Sequence, residues 1–364
     1  MNTVNIERIK LARESRGYSQ TMLSKKSKKI SQVVLSKIEK GAYNVTEEIV
    51  NEIASVLDYK PDFFYKQHDV YPLKHFYFRK NLGTGTNTKK IEALINIISS
   101  NIRDLLDSVD IEVKVPFTDI YEKKITPSEM ARKIRDNFNL PKGPIKNLVK
   151  TIESLGVILI FFDFSKELKI DGVSFITPEG VPLIVINNNI PNSRKIFTMA
   201  HELGHLIMHY TGMITTEDID VEKEANIFAA EFLMPELEIK NQLHRLTESE
   251  LFYMKSYWKV SMQSILYRAN FLGCFTPDQY RRWVTKINFR GWRKIEPYEF
   301  EIDQPKLLEK LILIHLQELD YEPEDLKSFF GLSDEEFTKF YIQNNANLNF
   351  LLPETKDKIK LKIV

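Results

Sequence analysis

Apolar residues recur every three or four positions along most of this chain. That period gives way to short unbroken apolar runs only between about residues 157 and 187. Near the N-terminus Ile6, Ile9, Leu11 and Ala12 predict a first helix. Residues 20–25 and 32–39 predict two more, and residues 46–57 a fourth with Thr46 as N-cap. Pro61 and Phe63-Phe64-Tyr65 close the unit, and residues 83–88 (Gly-Thr-Gly-Thr-Asn-Thr) read as a flexible loop or linker. Helical period resumes over 90–109. Thr126-Pro127-Ser128-Glu129 starts a helix through Phe138, and Pro144 opens another through Ser154. Residues 157–162 predict a buried strand from their length and β-branched content. Residues 173–177 and 183–187 flank Pro178-Glu179-Gly180 as a hairpin. Helices return at Ser193, and residues 307–319 and 323–341 are short and amphipathic. Trp258, Trp283 and Trp292 are expected to be packing anchors. This order predicts a multidomain, mainly α chain with an α+β core.

Composition narrows the picture only slightly. At 364 residues, two or three domains are expected. A formal net charge of +1 excludes no partner, because local patches of opposite sign cancel. The single cysteine, Cys274, allows no intrachain disulfide and fits a reducing cytoplasm. The first residues lack a signal-type apolar core, and the run at 157–162 is too short to span a bilayer. A soluble cytoplasmic protein with no membrane partner is expected.

The chemistry concentrates in Ala200-His201-Glu202-Leu203-Gly204-His205, inside an apolar periodic segment. Histidines four apart on a helix point the same way and can hold one zinc ion, with the intervening Glu placed as general base. Ser193 is expected to cap this helix over 194–210, with Phe197, Ala200, Gly204 and Ile207 as its packing stripe. Gly204 permits close approach by another element. Without further ligands the pair would be two ordinary histidines on a half-buried helix.

A catalytic zinc needs a third protein ligand and an open position. His209 shares the face of His201, but eight residues at ~1.5 Å rise separate them by about 12 Å along a straight helix. Two ligands at ~2.0–2.1 Å from one ion cannot be that far apart. Leu206-Ile207-Met208 carries no glycine at which the chain could turn back. His209 is therefore expected beside the ligands, as a polar lining residue, or near the helix end. Downstream, Ala225, Phe228, Ala229 and Phe232 mark a buried stripe. Glu222 falls on the flank of that stripe beside Asn226, whereas Glu224 and Glu231 fall off it. A carboxylate near the buried side needs a partner. Glu222 is thus favoured over Glu224 as the third ligand, the plain alternative being that all three acids form a solvated face. Asn226 can accept the ring N–H of a zinc-bound histidine.

His-Glu-Leu-Gly-His followed by Glu-Lys-Glu-Ala-Asn-Ile-Phe-Ala-Ala-Glu-Phe-Leu-Met-Pro resembles the ImmA/IrrE metallopeptidases, whose hallmark is this pair of motifs. The lead-in at 194–200 and the segments 140–145, 258–261 and 291–294 extend the similarity over most of the chain after about residue 75. The resemblance implies a minimal thermolysin-like (gluzincin) peptidase domain with a small sheet. There a Glu-x-x-x-Asp/Asn helix supplies the third ligand, which selects Glu222 with Asn226. It implies Zn2+ held by His201, His205 and Glu222, with a zinc-activated water as nucleophile. Glu202 takes the proton as general base and passes it to the leaving amine. An oxyanion stabiliser is expected, with His209 and Tyr210 as candidates, and the strand at 183–187 could pair with an extended substrate.

Arg16-Gly17-Tyr18-Ser19-Gln20 with Leu23, then residues 31–41 (Ser-Gln-Val-Val-Leu-Ser-Lys-Ile-Glu-Lys-Gly), resembles the repressor-type (XRE) helix-turn-helix over about residues 5–65. It implies that Gln20 opens helix two near a phosphate and that Gln32 opens the recognition helix. Val33, Ser36 and Lys37 would then face the major groove. Six lysines (25, 26, 28, 29, 37, 40) stand against Glu39 between residues 22 and 40, which suits phosphate neutralisation. The other reading of this region is a helical interaction module without DNA.

The expected organisation is a helix-turn-helix domain at 1–66, a linker and helical connector at 67–125, a peptidase domain at 126–245 and a helical C-terminal region at 246–364. The expected function is a DNA-binding transcriptional regulator fused to a zinc endopeptidase. By resemblance it cleaves a specific protein such as a repressor, or the chain itself, in stress, mobile-element or phage settings. Double-stranded operator DNA is the expected partner, and paired half-sites make a homodimer an expected form. The alternative is a non-proteolytic regulator or antitoxin-like binder that uses the zinc fold as sensor or scaffold.

Overall fold

The computed structural model describes residues 3–71, 77–78, 85–165, 167–210, 219–244, 246–293, 295–342 and 348. In chain order the elements are α1 (Ile6–Ser15), α2 (Gln20–Lys26), α3 (Gln32–Glu39), α4 (Glu47–Leu57), β1 (Tyr77–Phe78), α5 (Thr86–Leu106), α6 (Pro127–Asn137) and α7 (Leu148–Ser154). They continue as β2 (Ile158–Phe162), β3 (Gly172–Ile176), β4 (Pro182–Asn187), α8 (Asn192–Met208), α9 (Val221–Leu233), α10 (Glu236–Leu243), α11 (Glu248–Trp258) and α12 (Met262–Phe271). The last are α13 (Pro277–Phe289), α14 (Leu307–Gln317), α15 (Pro323–Phe330) and α16 (Asp334–Phe337). The mainly helical chain with an α+β core matches the sequence expectation. Two compact units result, one from residues 1–71, 85–109 and 309–364, the other from 72–84 and 110–308. Residues 246–364 are therefore shared between the two.

In the first unit, Ser19 and Ser31 cap α2 and α3 by accepting from the backbone N–H of Met22 and Val34. Leu23, Leu35, Ile38, Val50, Ile53 and Leu57 fill the space between the four helices. Thr46 precedes α4 as expected but makes no side-chain cap. Helix α5 begins at Thr86, so the last three residues of the expected loop are its first turn. Residues 83–84 lie outside the described ones. Arg8 of α1 is buried, donates to Ser100 of α5 at 2.5 Å and stacks 4.7 Å over Phe63. Burial lowers its pKa to about 10, which leaves it charged at neutral pH.

The C-terminal helices complete this unit. Asn101 donates to Tyr341 at 2.8 Å, Arg16 pairs with Glu336 at 2.6 Å, and Tyr59 forms an antiparallel bridge with Leu332. Gly331 ends α15 at φ +67°, and a Cβ there would lie 2.6 Å from the Phe63 backbone, so no side chain fits.

The second unit holds a four-stranded sheet in the order β1-β3-β4-β2. β3 pairs antiparallel with β1 and β4, and β2 pairs parallel with β4. Every residue of β2 and β4 is buried, as their unbroken apolar runs require. Because β4 has neighbours on both sides, the expectation that it pairs with substrate is corrected: its backbone groups are already in ladders. Helix α6 starts with Thr126 in a capping box with Glu129. Helix α7 starts at Leu148 behind Asn147, not at Pro144. Helix α8 lies on β3 and β4. It starts at Asn192 behind Pro191, and the expected cap Ser193 is inside the helix. The Ser193 N–H and Oγ donate instead to Glu299, at 2.6 and 3.1 Å. Among the described residues no helix is long and apolar enough to cross a membrane.

Candidate metal centre and nucleic-acid interface

His201 and His205 stand one turn apart on α8, and both are buried. Their helix is pressed against α9 at Gly204, where a Cβ would meet the Phe228 ring at 2.9 Å. Ala225, Phe228, Ala229 and Phe232 form the buried stripe of α9. This packing swings Glu222, in the first turn of α9, over the histidine pair. The Nε2 atoms of His201 and His205 are 3.1 Å apart. Glu222 Oε1 is 3.1 Å from His205 Nε2, and its Oε2 is 3.4 Å from His201 Nε2. Tetrahedral ligands with bonds of ~2.0–2.1 Å are separated by roughly 3.3 Å, and each of these three contacts, two of them through different oxygens of Glu222, lies near that spacing.

The ring nitrogens facing away from the triangle are also engaged. His201 Nδ1 lies 3.1 Å from Asn226 Oδ1, one turn beyond Glu222. His205 Nδ1 lies 2.9 Å from His209 Nδ1, and His209 Nε2 lies 3.0 Å from Glu224 Oε2. Tyr121 donates to the same carboxylate oxygen. His209 is the buried C-cap of α8 and turns away from the Nε2 atoms of His201 and His205. With both ring nitrogens in this chain, it is not placed to stabilise an oxyanion. Burial lowers the pKa of His205 to about 3, which leaves a neutral imidazole at pH 7. For Glu222, burial acts upward, but the hydrogen bonds to His201 and His205 prevail and hold it at about 2. Two imidazoles and one carboxylate, converging on one point, are a donor set suited to a divalent cation.

Glu202 is buried between His201 and His205 in the chain, and its Oε2 accepts from Ser174 Oγ of β3 at 2.7 Å. Tyr210 lies with its hydroxyl 3.2 Å from both the backbone N and O of Ile176. A cavity of about 800 Å³ extends from Asn226 along α8, lined by Arg194, Phe197, Tyr267, Tyr280 and Trp292 among others. Arg194 and Phe197 precede His201 by two turns and one turn of the same helix.

Glu231 is not on a solvated face. It is 1 % exposed, paired with Arg268 and 3.2 Å from Arg132. Glu224 is likewise half-buried and bonded, so the reading of all three acids as a surface stripe is corrected. Sequence reasoning missed Ser174, Tyr121 and the role of Glu224. A serine inside an otherwise apolar strand was the available signal for the first. Tyr121 lies in a turn without periodicity and gave none. A second group, His68, Asp104 and Asp107, also falls within ligand distance. Asp104 is already bonded to Lys66. A cation already occupies that carboxylate.

In the other unit, Gln32, Val33 and Lys37 of α3 are exposed and Ser36 is half-buried. Gln20 donates to Glu39 at 2.8 Å and accepts from Gln32 at 3.2 Å. Glu39 also takes two bonds from Arg13, at 2.5 and 2.9 Å, which ties α3 to α1. Lysines 25, 26, 28, 29, 37 and 40 are all exposed. Lys29 pairs with Glu48 at 2.5 Å, an exposed contact that DNA phosphates can displace.

Two family models match the chain: a helix-turn-helix over residues 9–64 and an IrrE N-terminal-like domain, a peptidase family, over residues 152–270. The second span contains His201, Glu202, His205 and Glu222, and it is shorter than the similarity read from the sequence. No curated protein matches the chain significantly.

Proposed function

From a chain that carries a repressor-type helix-turn-helix domain and an IrrE/ImmA-like metallopeptidase domain, we propose a DNA-bound regulator that cleaves a specific protein with a zinc centre. The observation that carries this reading is the triad of His201, His205 and Glu222, whose side chains meet in contacts of 3.1, 3.1 and 3.4 Å beside the buried Glu202. Zinc, when bound, supplies a Lewis acid that acidifies water and polarises a peptide carbonyl. Glu202 receives the proton at its carboxylate and returns it to the leaving nitrogen. Ser174 holds that carboxylate in place, and Asn226 orients His201. The cavity beyond Asn226, with its aromatic walls and Arg194, receives side chains of the substrate. Helix α3 enters the major groove with Val33, Ser36 and Lys37 at the bases. Gln20, Gln32 and the lysine cluster lie toward phosphates. An enzyme tied to DNA in this way meets few proteins, which fits a repressor, or the chain itself, as substrate.

Comparing new protein N-termini in cells that carry wild-type protein or Glu202→Gln tests this. A small set of cleavages confined to the wild type is expected, and identical N-terminal profiles would contradict proteolysis.

A further inference from the structure

We propose that Tyr121, Glu224 and His209 form a positioning relay that sets the proton on His205 and thereby the affinity of the metal centre. The inference rests on the metallopeptidase reading above and concerns residues that do not belong to the ligand triangle. A histidine that offers Nε2 to a metal must carry its proton on Nδ1. His205 Nδ1 lies 2.9 Å from His209 Nδ1, so that proton is donated to His209, which must accept there. A neutral His209 accepting at Nδ1 carries its own proton on Nε2, where Glu224 Oε2 is 3.0 Å away to take it. Tyr121 donates its hydroxyl to the same oxygen and turns the carboxylate toward the ring. Each group then has one role that follows from its neighbour, and only one protonation pattern satisfies the whole chain.

The position of Glu224 in α9 explains why it shares a helix turn with Glu222 without sharing its task. The two acids lie two residues apart, about 200° around the helix, so one reaches the histidine pair and the other reaches past it to His209. The relay ends on the Glu224 carboxylate, whose Oε2 takes bonds from both the His209 ring and the Tyr121 hydroxyl. An anion at the far end strengthens the hydrogen bond through His209 and makes His205 a better donor. Asn226 gives His201 a neutral acceptor instead, so the two ligands are held by partners of different strength.

Outer partners of this kind typically contribute ~10–100-fold in metal affinity. Zinc affinity, measured by competition with a chromophoric chelator, and the melting temperature of zinc-stripped protein test the relay together. Glu224→Gln keeps the size of the side chain and removes its charge. It is expected to bind zinc ~10-fold or more weakly, with the zinc-stripped melting temperature nearly unchanged. Tyr121→Phe is expected to weaken zinc by less, in the same direction, and it decides the matter if Glu224→Gln does not fold. Affinities within twofold of wild type would overturn the relay. So would a loss of affinity matched by a loss of zinc-stripped stability, which marks a merely structural contact. A wild-type chain that fails to bind zinc would instead defeat the metallopeptidase reading itself.

Discussion

Glu202→Gln is expected to abolish measurable cleavage while leaving zinc affinity within about twofold of wild type. A positioned general base contributes roughly 10²–10⁴-fold to a proton-transfer step. Here the same group would both receive the proton and return it, so both functions are lost together. The side chain is buried, and its Oε2 already accepts from Ser174 at 2.7 Å. The carboxamide oxygen of Gln can keep that bond, so the replacement should leave α8 and β3 in place. No group of the ligand triangle changes. Steady-state cleavage of the identified substrate, set beside chelator competition on the same preparation, reads both quantities. Loss of zinc together with activity would assign Glu202 a structural role. Retained activity would remove it from the mechanism.

Arg268→Met is expected to cost about 3–5 kcal/mol of stability, the range for breaking a buried ion pair by deleting one partner. Arg268 and Glu231 are 0 % and 1 % exposed, and they join α12 to α9, the helix that carries Glu222. Arg268 also donates to the Met234 carbonyl at 3.0 Å, where α9 ends. Removing the guanidinium leaves Glu231 with Arg132, whose side chain is 41 % exposed and whose contact is the longer one. Replacing both residues, Arg268→Met with Glu231→Met, is expected to recover most of the loss, because apolar pairs of similar volume often substitute for buried ion pairs. Urea denaturation of zinc-stripped protein checks this. A single variant within 1 kcal/mol of wild type would show that the pair is not carrying the α9–α12 junction.

The parts legible in the sequence were those fixed by near neighbours. Ser19 and Ser31 cap their own helices, and residues 32–39 form α3 as expected. His201, Glu202 and His205 share one helix turn, and the buried stripe of α9 placed Glu222 and Asn226 on its flank. What was not legible depended on distant partners. The start of α8 is held by Glu299, more than a hundred residues downstream, so Ser193 as cap was a local answer to a tertiary question. The central place of β4 depends on β2 lying beside it, which no local pattern encodes. Glu231 reads as surface until Arg268 and Arg132 arrive from other helices. Tyr341 closes on Asn101 across 240 residues, so the C-terminal helices gave no sign that they complete the unit with the helix-turn-helix.

The most direct measurement of the central claim is zinc content per chain after metal-replete purification, by elemental mass spectrometry, for wild type, Glu222→Ala and Glu224→Gln. The triangle of His201, His205 and Glu222 predicts close to one zinc in the wild type and in Glu224→Gln at saturating metal, with zinc lost from Glu222→Ala. A wild type without zinc, or a Glu222→Ala chain that keeps it while Glu224→Gln does not, would contradict this account of the site.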